Sequence, residues 1–203
     1  MSDVSLPRSG ARAREIVAAA RELLEGEGPE ALSMRRIAER VGIKAPSLYK
    51  HFSDKSAVES ALVAAAMTEL AEALEAVEAA GAAEAAGAGS GAGVGLGGDL
   101  IGALAGAYRA YALAHPHLYR LMSGQPLDRA ALPEGLEERT AGPLVRAVGG
   151  DGDAARAVWG FAHGMVVLEL AGRFPPDADV AGTWARGCAA FGVGLGGLKR
   201  RPG

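Results

Sequence analysis

A chain of 203 residues with a formal net charge of −3 has room for a small head and a larger body, and its charge excludes a uniformly basic nucleic-acid coat while permitting a local reader. Hydrophobic residues make up 49% and aromatic ones 5%, so the core is expected to be mostly Ala, Leu and Val. The single cysteine, Cys188, excludes an intrachain disulfide and a cysteine-cluster metal site; no run reaches the roughly eighteen apolar residues of a membrane span, and the opening MSDVSLPRSGARAR lacks the apolar segment of a secretory signal, so a cytoplasmic protein is expected.

In chain order, residues 1–11 read as a flexible arm. From Arg12 to Leu24 the positions Ile16, Ala20, Leu23 and Leu24 fall at helical spacing, and Gly26-Glu27-Gly28-Pro29 ends that helix. Leu32 to Lys55, LSMRRIAERVGIKAPSLYKHFSDK, holds two short helices around a break at Gly42. Ser33 is placed to cap the first, whose stripe is Met34, Ile37, Ala38 and Val41. The second runs from Lys44 to Lys50 with Pro46 in its first turn, where a missing amide hydrogen does least harm. This is the layout that presents a recognition helix to the major groove. Arg35, Arg36, Arg40, Lys44, Lys50 and Lys55 face only Glu39 and Asp54, so the segment is locally +4. Leu48 and Phe52 are assigned to the core.

Ser53 is expected to cap a long helix over Asp54–Ala80, rich in Ala, Glu and Leu. Residues 81–98 carry eight glycines and read as a flexible insertion, because each interior glycine weakens a helix by about 1 kcal/mol. Without a lysine, GAGSGAGVGLGG is not a phosphate-binding loop. Helical patterns follow over Asp99–His115, His117–Ser123, Glu134–Val148, Ala154–Leu170 and Asp179–Leu195, with a frayed tail at 198–203.

The pattern LSMRRIAERVGI…SLYKHFSDKSAV resembles the DNA-binding domain of the TetR family of bacterial transcriptional regulators. The strings AYRAYALAHPHLYRLMSG and Trp159-Gly160-x-x-His163-Gly164 resemble the body of that family's Trp-His-Gly subgroup. The resemblance implies an all-α fold: a three-helix helix-turn-helix head at 12–58 and a ligand-binding and dimerisation body at 59–197. It also implies a repressor that binds double-stranded operator DNA as a homodimer and responds to a small apolar or aromatic effector. The DNA-facing set it implies is Arg35, Lys44, Ala45, Ser47, Tyr49, Lys50, His51 and Lys55, with Lys44 on a guanine edge and Tyr49, Lys50 and Lys55 on phosphates. The alternative is a packed Tyr49 with solvated lysines.

In the body, Tyr108, Tyr111, Met122, Trp159, His163 and Met165 are candidates for an effector cavity, although core packing explains the same residues. Trp159, Val166, Leu170, Trp184, Cys188, Phe191 and Leu195 either form half of a four-helix dimer interface or the core of one protomer. His115, His117 and His163 have no cysteine or paired carboxylate beside them, so no metal and no cofactor is expected. Pairing Ser123 with His163 yields no spacing that selects a nucleophile and base, so no enzyme is expected. The remaining alternative is a noncatalytic ligand- or protein-binding module with a vestigial head.

Overall fold

The computed structural model describes residues 10–87 and 96–198, and every regular element among the described residues is helical. The helices are α1 (Ala11–Glu27), α2 (Met34–Val41), α3 (Ala45–Leu48), α4 (Lys55–Gly87), α5 (Leu96–Ala114), α6 (Pro116–Ser123), α7 (Leu136–Ala147), α8 (Gly152–Leu170) and α9 (Val180–Leu198). They fall into two compact units, one of residues 1–69 with 115–137 and the other of 70–114 with 138–203. The units therefore divide the chain differently from the 58/59 boundary drawn from the sequence. α6 and the segment after it belong with the helix-turn-helix, and α4 supplies residues to both units.

In the first unit, Ile16, Ala20, Leu23 and Leu24 of α1 are buried with Ile37 and Ala38 of α2, Leu48, and Phe52. These are the apolar positions that helical spacing selects. Ser33 caps α2 by accepting the Arg36 amide at 3.3 Å. Gly42 closes α2 in the left-handed conformation, φ 72°. There the Ile43 amide donates to the Ala38 carbonyl at 2.9 Å and the Gly42 amide to Glu39 at 3.2 Å, the paired bonds of a Schellman ending. Lys44 stands at the N-cap of α3 without a side-chain capping bond. α3 is shorter than the expected Lys44–Lys50, and turns carry the chain on to Phe52, whose amide donates to the Leu48 carbonyl at 3.1 Å. The start of α4 also differs from expectation. Asp54, not Ser53, is the cap, its Oδ1 accepting the Ala57 amide at 2.8 Å, because a carboxylate is the stronger acceptor for amides at the positive end of a helix.

α6 is seated in the same unit. Its Leu118 amide donates to Glu25 of α1 at 3.1 Å, so an acid from another helix satisfies one of its unpaired amino-terminal donors. Leu118 and Tyr119 are buried, while Met67, Leu132 and Leu136 form a separate small core flanked by Met122 and Leu127.

In the second unit, α5 packs on α8 and α9 through Ile101, Leu104, Ala105, Tyr108, Val158, Ala162, Val166, Trp184 and Cys188. α4 runs to Gly87 and α5 starts at Leu96, so residues 81–87 and 96–98 are helical, contrary to the flexible insertion expected there. Seven residues from 81 to 87 include only two glycines among alanines and a glutamate, which helix propensity tolerates. Residues 88–95 of that insertion, with 1–9 of the arm and 199–203 of the tail, lie outside the described residues.

Three bidentate arginine–glutamate pairs link helices in this unit. Arg139 holds Glu75 at 2.7 Å through two nitrogens, Arg146 holds Glu78 at 2.5 and 2.6 Å, and Arg109 holds Glu169 at 2.6 to 3.1 Å. Glu169 also accepts the Trp184 indole N–H at 2.5 Å, so one carboxylate joins α5, α8 and α9.

Candidate nucleic-acid interface

The helix-turn-helix exposes a narrow set of side chains. Lys44, Tyr49, Lys50 and Lys55 are exposed, Ala45, Ser47 and His51 are half-buried, and Leu48 and Phe52 anchor the segment from beneath. Tyr49 is 52% exposed, so it is not packed in the core, while the lysines are exposed to solvent as the alternative has them. Arg35 is exposed and paired with Glu39 at 2.8 Å, a contact that raises the guanidinium pKa above its ordinary value.

Charge is distributed less evenly than the count of +4 implies. Arg36 reaches across to Glu27 of α1 at 2.6 Å, and Arg40 lies 3.2 Å from Glu22 and 3.3 Å from Glu27. The hydrogen bond from Arg36, with the nearby Arg40 charge, holds the Glu27 carboxyl below its usual range. Lys55 faces Glu59 at 3.4 Å. Within residues 32–55, Lys44 and Lys50 make no ion pair among the described residues and are the cations that this segment leaves for a polyanion. The acids responsible lie on α1, nine to eighteen residues before the arginines they hold, and no local reading of the motif anticipates them.

The candidate effector residues do not come together as expected. Tyr108 and Met165 are buried, and Tyr111 and His163 half-buried, in the second unit. Trp159 is 53% exposed and stands 5.9 Å from the His163 ring, so it faces outward and lines no enclosed cavity. Met122 belongs to the first unit, against the Met67–Leu132–Leu136 core. A groove of about 400 Å³ opens in the first unit instead, over Ala13, Val17, Ala61, Ala65, Phe52 and Leu118. It exists because small side chains on α1 and α4 leave space that leucines would fill.

The residues assigned to a dimer interface also divide. Val166, Trp184 and Cys188 are 0%, 6% and 5% exposed. They are core within one protomer, which corrects their assignment to an interface, and burial pushes the Cys188 thiol pKa up. Phe161 meets Trp184 edge-on at 5.7 Å and Phe191 at 5.8 Å. Leu170 and Phe191 are half-buried, and the Leu195 side chain lies outside those described. Among the described residues of this unit the exposed large apolar side chains are Leu113 on α5, Trp159, Val167 and Leu168 on α8, and Val193 on α9, the last 79% exposed. Helical spacing from Trp159 through His163 selects Val167, whereas the glycines around Val193 hid the pattern in α9.

Among the described residues, no group of histidine, cysteine and carboxylates is placed to hold a metal ion, and no helix is long and apolar enough to cross a membrane.

Residues 16–62 match the family described as "Bacterial regulatory proteins, tetR family", and residues 101–191 match "Tetracyclin repressor-like, C-terminal domain". The chain is 30% identical over 177 residues to the uncharacterized HTH-type transcriptional regulator Rv0681 of Mycobacterium tuberculosis, covering 83% of this chain and 75% of that one. A protein of unknown function from Rhodococcus sp. RHA1 superposes with a TM-score of 0.67 at 27% identity, over 93% of this chain and 97% of the other. A TetR variant from Acinetobacter baumannii AYE, solved in complex with minocycline, superposes with a TM-score of 0.62 at 23% identity, over 92% and 97%, a likeness of fold. The chain belongs to the TetR family and is a DNA-binding transcriptional regulator with a helix-turn-helix head.

Proposed function

We propose that this regulator is a ligand-responsive repressor that binds a palindromic operator as a homodimer. The observation that supports it most is the exposed trio Lys44, Tyr49 and Lys50 beside buried Leu48 and Phe52, with both lysines unpaired by any carboxylate among the described residues. In this reading Lys44 and Ser47 meet base edges, with Ala45 in the same turn. Tyr49, Lys50, His51 and Lys55 meet phosphates, and Arg35 exchanges Glu39 for a phosphate. Two-fold symmetry of the dimer gives the site its palindromy, with half-sites about 34–36 Å apart or somewhat more.

The dimer face is the outward apolar set of Trp159, Val167, Leu168 and Val193, flanked by Leu170 and Phe191. Large exposed apolar residues gathered in one unit are a usual mark of association. The effector site lies in the second unit near Tyr108, Tyr111, His163 and Met165, and the minocycline bound by the Acinetobacter relative supports an apolar or aromatic ligand. Such a ligand acts only through its different affinity for two states of the dimer, and α4, common to both units, is the element through which they are coupled. Repression follows from occupying promoter DNA in the cytoplasm.

The test is selection of bound duplexes from a randomised pool by the full chain and by a Lys44→Ala/Tyr49→Ala variant. Enrichment of a two-fold-related site by the wild type alone supports the reading. No enrichment at low or moderate salt overturns it.

A further inference from the structure

The DNA face is poor in the side chains that usually identify bases. Asparagine is absent from the chain and the one glutamine, Gln125, lies outside the helix-turn-helix, so the amide fork that holds N6 and N7 of adenine is missing. Of the guanidinium forks in the helix-turn-helix that suit guanine, Arg36 is held by Glu27 and Arg40 by Glu22 and Glu27, and Arg35, paired with Glu39, is the one assigned above to a phosphate. What remains at the entry to α3 is the exposed ammonium of Lys44, the exposed ring of Pro46, the half-buried methyl of Ala45 and the half-buried hydroxyl of Ser47.

We infer that this head reads its operator through thymine methyl groups and a guanine edge, with Pro46 and Ala45 forming the methyl contact and Lys44 the guanine contact. The inference rests on the DNA-reading function proposed above and specifies its chemistry. A saturated ring has neither donor nor acceptor, and the one feature of a major-groove base edge that gains from contact with it is the C5 methyl of thymine. Cytosine in that place has only C5–H where thymine carries the methyl, so the apolar contact is lost, and it turns an N4 amine where thymine has O4. Lys44, a point charge with three donors and no acceptor, is attracted by O6 and N7 of guanine and repelled by the amine of adenine or cytosine. The Ser47 hydroxyl both donates and accepts and discriminates little.

Deoxyuridine pairs as thymine does and lacks only the methyl, which makes it the decisive probe. The duplex selected by the full-length protein is compared with versions carrying deoxyuridine at each conserved thymine or 7-deazaguanine at the conserved guanine, by fluorescence anisotropy at fixed salt. Removing one methyl is expected to weaken binding about four-fold per half-site. That penalty disappears in Pro46→Ser, while the 7-deazaguanine penalty disappears in Lys44→Ala. If wild-type protein binds the deoxyuridine duplexes as tightly as the selected one, the methyl readout is wrong while the DNA-binding function stands; this comparison needs no variant. A penalty undiminished in both Pro46→Ser and Ala45→Gly also overturns it. If no duplex is enriched at all, the DNA-reading function fails and this inference fails with it.

Discussion

At the scale of single residues, Gly42 and the two acids of α1 carry the sharpest expectations. Gly42 ends α2 at φ 72° with open space where a Cβ would stand, so Gly42→Ala meets only the backbone penalty of the left-handed region. That penalty is about 1–2 kcal/mol, measured as a lower urea midpoint with an unchanged slope. Glu22 and Glu27 restrain Arg36 and Arg40. A Glu22→Gln/Glu27→Gln variant is therefore expected to bind any duplex more tightly and to show a steeper dependence on salt, by about one to two further phosphate contacts per head. An unchanged slope in anisotropy titrations from low to moderate salt would show that these arginines stay away from DNA whatever their partners. Most of this site was legible in the sequence. Ser33, Gly42, Leu48 and Phe52 have local signatures, in capping, positive φ and helical spacing. The neutralisation of the arginines was not legible, because it depends on which face of α1 lies beside α2.

At the scale of elements, α4 and α7 are held together by Arg139–Glu75 and Arg146–Glu78. Hydrogen bonding to Arg139 lowers the Glu75 pKa, and hydrogen bonding to Arg146 lowers that of Glu78. A carboxyl whose folded pKa is depressed contributes stability that is fully present above its unfolded value and is lost as pH falls through the folded one. The thermal midpoint of Arg139→Gln/Arg146→Gln is thus expected to lie below that of the wild type by a constant margin above about pH 5. The margin shrinks toward zero below the ordinary glutamate value of about 4.3. Melting curves across pH 3 to 7 test this, and a margin independent of pH would assign the loss to packing instead. The arginines sit on exposed positions of a helix that runs through Pro143, a residue that removes one amide donor. Similarly, eight glycines in residues 81–98 made helix there look costly, yet their clustering after Gly87 left α4 intact to that point.

At the scale of the whole molecule, the second unit buries aliphatic side chains together with Tyr108 and Trp184, Glu169 joins three of its helices, and its exposed large apolar residues lie mostly on α8 and α9. Replacing Val167 and Val193 with aspartate places charge on the proposed dimer face without entering the core, since both are exposed. Sedimentation velocity at micromolar concentration is expected to show a monomer for the double variant and a dimer for the wild type, with equal helical circular dichroism. Equal sedimentation of the two would remove this face from the assembly. Helix order was readable from periodicity, and the all-α class from the family resemblance of the helix-turn-helix together with that spacing. Which apolar residues turn inward was not, because Val166 and Val167 are neighbours of like chemistry and only the third dimension separates them.

The pairing of Arg36 and Arg40 with acids of their own chain also bears on how such a regulator behaves among a genome's worth of competing sequence. Nonspecific attraction to DNA comes almost wholly from phosphate neutralisation, and a head with few cations to spare is weakly held by random sequence. Fewer molecules are then stranded away from the operator, so a small number of copies per cell suffices to keep one site occupied.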